Sequence, residues 1–97
     1  MKLDRNGYRA SLFNTESGFC YIHRGEVATA RHEILHGANR NNSKRYGLWI
    51  NVCPDCHKLV HLEDNGKYLY LKEDAQRLFE EEYPDKDFVA IFGRNYL

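Results

Sequence analysis

The chain has 97 residues and a formal net charge of zero, with 42% apolar, 13% aromatic and 29% charged residues. That size and balance predict one globular domain with a thin core, of the kind that commonly needs a metal or another staple. No apolar run approaches a membrane span and the first residues do not open a signal peptide; three cysteines would leave one stranded in a disulfide framework, so a reducing, intracellular compartment is expected.

In chain order, residues 8–13 alternate loosely and predict a short strand. Residues 14–18 read as a turn, and Cys20 to His23 as a metal-binding knuckle closed by Gly25. Residues 27–36 read as an extended segment, 37–43 as a loop rich in Asn and Gly, and 46–52 as a strand of aromatic and β-branched residues. The two extended segments are expected to form an antiparallel hairpin. Pro54 suits the first turn of a helix over 54–62, stopped by Asn65-Gly66. Tyr68, Leu71, Ala75, Leu78 and Tyr83 recur at helical spacing and predict a longer helix with a core-facing stripe. Asp85 is the expected cap of a last short helix that holds Phe88, Ile91 and Phe92 and ends at Gly93. There is no internal repeat, linker or low-complexity tract.

Two ligand pairs stand out. Cys20-x2-His23 and Cys53-x2-Cys56 are separated by 29 residues, enough for the expected hairpin. Each such turn wraps two ligands around one ion, and two turns complete the tetrahedron of a structural Zn2+ site. His57 and His61 are left over, and their spacing turns both rings to one face of a helix. A second metal site with open positions for water and substrate is the hydrolytic use of such a pair. Upstream, Arg31-His32-Glu33-Ile34-Leu35-His36 offers further ligands.

Charge is unevenly spread. Residues 24–58 carry six basic side chains (Arg24, Arg31, Arg40, Lys44, Arg45, Lys58) against three acidic ones, a balance of +3, whereas residues 63–97 carry five basic and nine acidic, a balance of −4. The positive charge therefore accompanies the metal-ligand candidates, and Arg31, Arg40, Lys44 and Arg45 are the candidates for phosphate contact.

A histidine-bearing strand, a loop, a second strand and then C-x2-C-His on a helix resembles the HNH endonucleases of the ββα-metal fold, closest to small phage and prophage HNH proteins. The residues that carry the resemblance are Arg31-His32-Glu33-Ile34, Gly37-Ala38-Asn39-Arg40, Lys44-Arg45-Tyr46-Gly47-Leu48, Cys53-Pro54-Asp55-Cys56-His57 with Val60-His61, and the tail from Phe88 to Leu97. They span about residues 19–97. The resemblance implies a single α+β domain over 1–97. Its ββα-metal core would occupy about 19–62, stapled by structural zinc, with additional C-terminal helices over about 67–97. It implies DNA as the partner, no membrane, and the cytoplasm of a bacterial host. It places a catalytic divalent ion, Mg2+ or Mn2+, on His32, His57 and His61.

The chain departs from the family where a histidine usually follows the first ligand: Glu33 stands there. A carboxylate is intrinsically a weaker base than imidazole near neutral pH. Three assignments of the general base follow: Glu33 itself, His36, which shares a strand face with His32, or His32 with the metal held by the helix. Asn39 and Asn51 are candidates for bracing the hairpin. Two rival readings remain: a DNA-binding module with weakened catalysis, and a zinc-stabilised protein-interaction domain working through its acidic half.

Overall fold

The computed structural model describes residues 2–97. In chain order it contains β1 (Ala30–Glu33), a 3-10 turn (Gly37–Asn39), α1 (Arg40–Tyr46), β2 (Trp49–Val52), α2 (Pro54–Leu62), α3 (Leu69–Glu82) and α4 (Phe88–Phe92). The architecture is α+β, with one antiparallel sheet pairing Ala30 with Val52 and Glu33 with Trp49. Paired residues share a sheet face, so Arg31, Glu33, Trp49 and Asn51 lie on one side and His32, Ile50 and Val52 on the other. Among the described residues no helix is long and apolar enough to cross a membrane.

Helix α2 lies against β1 and occupies the predicted span. Cys53 is its N-cap, Pro54 opens its first turn, and Asp55 suits the positive end of the helix dipole. The periodic stripe of α3 is also as expected: Leu71, Ala75 and Phe79 are buried. Phe79 is the centre of the core, its ring 5.0–5.7 Å from those of Tyr46, Tyr83, Phe88 and Phe92.

Four local expectations are corrected. Residues 8–13 form no strand; their polar groups pair with the end of α1 and the start of β2, Arg9 N–H donating to Lys44 O, Leu12 N–H to Gly47 O and the Trp49 indole to Arg9 O. Residues 37–43 are not a loop but the 3-10 turn and most of α1. The helix is held by tertiary bonds that composition does not reveal: buried Ser43 bonds both N–H and C=O of Leu35, and the Asn39 amide donates to Phe92 O. The second strand begins at Trp49 rather than 46, because Tyr46 belongs to α1. The cap of α4 is Asp87, not Asp85; its carboxylate accepts from Val89 and Ala90 N–H.

Gly47 ends α1 at φ 76°, and a Cβ there would lie 2.6 Å from Ala10 O. Only glycine combines that left-handed backbone with the close passage of residues 10–12. Gly47→Ala is expected to destabilise the domain by about 1–3 kcal/mol, read as a lower urea midpoint with an unchanged slope. A midpoint within error of the parent would show that the N-terminal segment does not need this contact.

Candidate metal centres

The first centre is built from two tight turns. Cys20 N–H donates to Glu26 O at 2.8 Å, closing a loop bridged by Phe19 and Val27, and Tyr21 N–H donates to Asn51 O at 2.8 Å, tying that loop to β2. Cys53 and Cys56 come from the start of α2. All three cysteines are buried, and their sulfurs lie within 4.8 Å of one another. Each turn aims an amide at its leading sulfur: His23 N–H at Cys20 Sγ, 3.3 Å, and Cys56 N–H at Cys53 Sγ, 3.5 Å. Such bonds favour thiolates. Burial pushes the Cys20 thiol up, but amide N–H groups at Cys53, His23 and Ile22 outweigh it and hold the thiol below its usual range. Cys56 is pushed up to about 12, by burial first and then by its two sulfur neighbours. A thiolate is favoured at Cys20 and resisted at Cys56, and a cation relieves that conflict. The cluster is compatible with a structural metal site. His23, the expected fourth ligand, is exposed and outside the 4.8 Å group. His23 lines a surface cleft with Cys53 and Asp55 instead, while its backbone N–H serves the Cys20 knuckle.

The second centre joins β1 to α2. His32 is 3% exposed and faces the helix, and its ring lies 5.6 Å from that of His57 and 4.8 Å from that of His61. The two helix rings are 5.0 Å apart. One nitrogen from each of the three falls within 4.8 Å of the others, so the sequence-predicted triad does converge. Burial, followed by the neighbouring imidazoles of His61, His57 and His36, depresses His32 to about 3. His61 is lowered for the same reasons, burial first. Neutral imidazole is the form that binds metal.

The triad opens onto a cleft of about 260 Å³ lined also by Arg31, Glu33, His36 and Arg40. Neither oxygen of Glu33 is free: Oε1 accepts from Arg40 Nε at 2.6 Å and Oε2 from the Tyr8 hydroxyl at 2.8 Å. His36 lies 5.2 Å from His61, ring to ring, and its Nε2 meets Asp64 Oδ2 at 3.0 Å. Asp64 also accepts from the buried Lys72 ammonium at 3.1 Å. Burial raises the Asp64 carboxyl, but Lys72 and His36 outweigh it and hold it below the ordinary range.

Asp64, Lys72 and Tyr8 escaped sequence reasoning. The one available signal was a lysine beside Leu71 on the apolar side of α3. The basic side chains of the expected loop are carried by a helix: Arg40 and Lys44 lie one turn apart on α1, followed by Arg45. Neither candidate asparagine bridges the strands. Asn39 reaches the end of α4, and Asn51 ties β2 to residues 15–16 through its N–H and side-chain amide.

The His32 shift makes stability depend on pH. An unfolded histidine takes its proton near 6.5, whereas the folded site refuses it until about pH 3. The unfolded chain therefore binds more protons across that window, and stability falls as pH drops from about 6.5 towards 3. Urea midpoints between pH 7 and 4.5 should show this loss, and His32→Phe should reduce the slope. An unaltered slope would mean that His32 titrates normally. Protein-family models, curated proteins and solved structures give no match to this chain, so the functional reading rests on the chemistry of these side chains.

Proposed function

We infer that this chain is a metal-dependent DNA endonuclease of the HNH type, with a ββα-metal core and a structural Zn2+ on its cysteine cluster. One observation carries the reading: His32 from β1 and His57 and His61 from α2 meet at one point in an open cleft rimmed by Arg31 and Arg40. A three-nitrogen set leaves positions for water and a phosphate oxygen. It suits Mn2+ and later first-row ions better than Mg2+, which prefers oxygen ligands. A divalent ion held there would stabilise negative charge on the scissile phosphate and its leaving oxygen. A phage or prophage origin remains part of the proposal through the family resemblance alone.

The remaining roles belong to the protein. His32, nearly inaccessible and the hardest to protonate, acts as a ligand. Of the three groups expected as general base, His36 fits best: with Nε2–H donated to Asp64, the Nδ1 lone pair is left to take a proton from water. Asp64, fixed by Lys72, is a positioning residue that sets the His36 tautomer. Glu33, with both oxygens bound, holds Arg40 at the cleft rim, where the guanidinium can meet a phosphate.

Supercoiled plasmid should be nicked in Mn2+. His57→Ala should abolish nicking and leave one zinc per chain, while Cys56→Ser should lose that zinc and lower the melting temperature. Asp64→Asn should reduce the rate by about 10–100-fold, less than the roughly 100–10,000-fold that a general base itself contributes, because Asp64 only orients His36. Salt-dependent binding with no nicking in any divalent metal would turn the assignment to a DNA-binding module, and neither binding nor nicking would favour a protein-interaction domain.

Arg40, Lys44 and Arg45 together supply the second test. Changing all three to Ala should weaken DNA binding and lower the slope of log K against log salt by about 2–3, near one unit per phosphate contact. An unchanged slope would remove α1 from the interface.

A further inference from the structure

Residues 2–15 lie over the sheet face opposite the histidine triad, and between them and the sheet runs a groove of about 620 Å³. Its outer wall, residues 2–15, falls outside the part of the chain that carries the family resemblance, whereas Arg31 and Trp49 on the sheet lie within it. Its volume is within the ordinary range of small-ligand sites. Tyr8 and Trp49 meet edge to face, ring centroids 5.6 Å apart. The Arg31 guanidinium lies over both, 4.5 Å from the Tyr8 ring and 4.4 Å from the Trp49 ring.

That guanidinium is held in place. Asp4 Oδ2 contacts it at 3.3 Å, while Asp4 Oδ1 accepts from Asn6 and Tyr8 N–H at 2.9 Å each. Lys44 Nζ sits 4.8 Å from the centre of the Tyr8 ring, and Lys2 lines the outer end of the groove. Among the described residues neither lysine has a carboxylate within ion-pair distance. Four cations, Lys2, Arg9, Arg31 and Lys44, thus stand at or beside the groove; Glu82 pairs with Arg9, Asp4 contacts Arg31 and Glu33 accepts from the Tyr8 hydroxyl, which leaves the two lysines as the positive charges without a carboxylate partner. The chemistry that matches is a flat ring joined to an anion. A guanidinium plane stacks a base and the ammonium groups attract its phosphate. Arg31 also lines the histidine cleft, so one side chain belongs to both walls.

We propose that this groove is a nucleotide subsite, which takes the base and phosphate next to the phosphodiester held in the histidine cleft. Its place on the strand rests on the nuclease reading; its affinity for a nucleotide does not. In this arrangement the N-terminal segment lengthens the nucleic-acid track beyond the metal centre, and Arg31 joins the two parts.

Trp49 is the only tryptophan in the chain, so its emission reports on the groove directly. The full chain is titrated with the dinucleotide pdTpdT, with inorganic phosphate as control, at up to about 1 mM, above the usual range of non-specific dissociation constants. The expected result is a saturable change in emission with the dinucleotide that weakens as salt rises and is retained in His57→Ala. Arg31→Lys keeps the charge but loses the stacking plane, and should weaken binding about tenfold. Lys2→Glu, at an exposed position that cannot compromise folding, should weaken it as well. No change in emission, an equal response to phosphate alone, or full affinity in both variants would overturn the proposal, even if plasmid is nicked. A saturable dinucleotide response in a protein that never nicks DNA would uphold the groove and overturn the nuclease reading.

Discussion

Helix α2 is the constraint on which the rest depends, because it serves two candidate ligand sets at once. Successive helical residues turn by about 100°. Cys53 at the cap, Cys56 and Val60 therefore fall on the buried side, while His57 and His61 fall on the side that meets β1. Pro54 sets the start of the helix, and the start sets both faces. A shift of one residue would withdraw the cysteines from Cys20 and the histidines from His32 together. The knuckle at Cys20 and the strand at His32 are both tied to β2, through Tyr21 N–H on Asn51 O and through the ladder from Ala30 to Glu33. The two centres are thereby held in one rigid frame.

The electrostatics of the histidine cleft follow from burial. Burial and the neighbouring imidazoles lower His32 and His61, and His32 is the extreme case. The charges needed nearby are placed around them as pairs, Glu33 with Arg40 on one side and Asp64 with Lys72 on the other. No buried side-chain polar atom among the described residues lacks a hydrogen-bond partner. Partnered groups of this kind keep their geometry, whereas an unpaired buried charge would cost several kcal/mol. Lys72 also ties α3 to the cleft wall through Asp64 and His36, so the C-terminal helices do more than fill the core.

The N-terminal segment is integrated by a different device. It adds no strand, yet its backbone bonds the end of α1 at Lys44 and Gly47, and its Tyr8 reaches Glu33. Gly47 makes the approach possible, and Trp49 anchors it through Arg9 O. Through Tyr8, Glu33 and Arg40, a segment remote in sequence from the histidines becomes part of their surroundings.

The family resemblance singled out His32; local chemistry was enough to specify α2, the stripe of α3, the pairing of β1 with β2, the three cysteines and the pair of His57 and His61. Each rests on short spacings or on helical and strand periods, which act through nearest neighbours and so survive in one dimension. What sequence could not decide depended on partners distant along the chain. Asn- and Gly-rich residues 37–43 form a helix because Ser43 and Asn39 find Leu35 and Phe92. Glu33 is tied up because Tyr8 and Arg40 arrive from two directions. His36 gains an orienting carboxylate only when the turn after α2 brings Asp64 back to it. Spacing nominates candidate ligands, His23 among them, but the fold decides which of them converge; the division of labour around the candidate metal centres is likewise a property of tertiary contact, because it is set by which lone pairs and protons the fold leaves free.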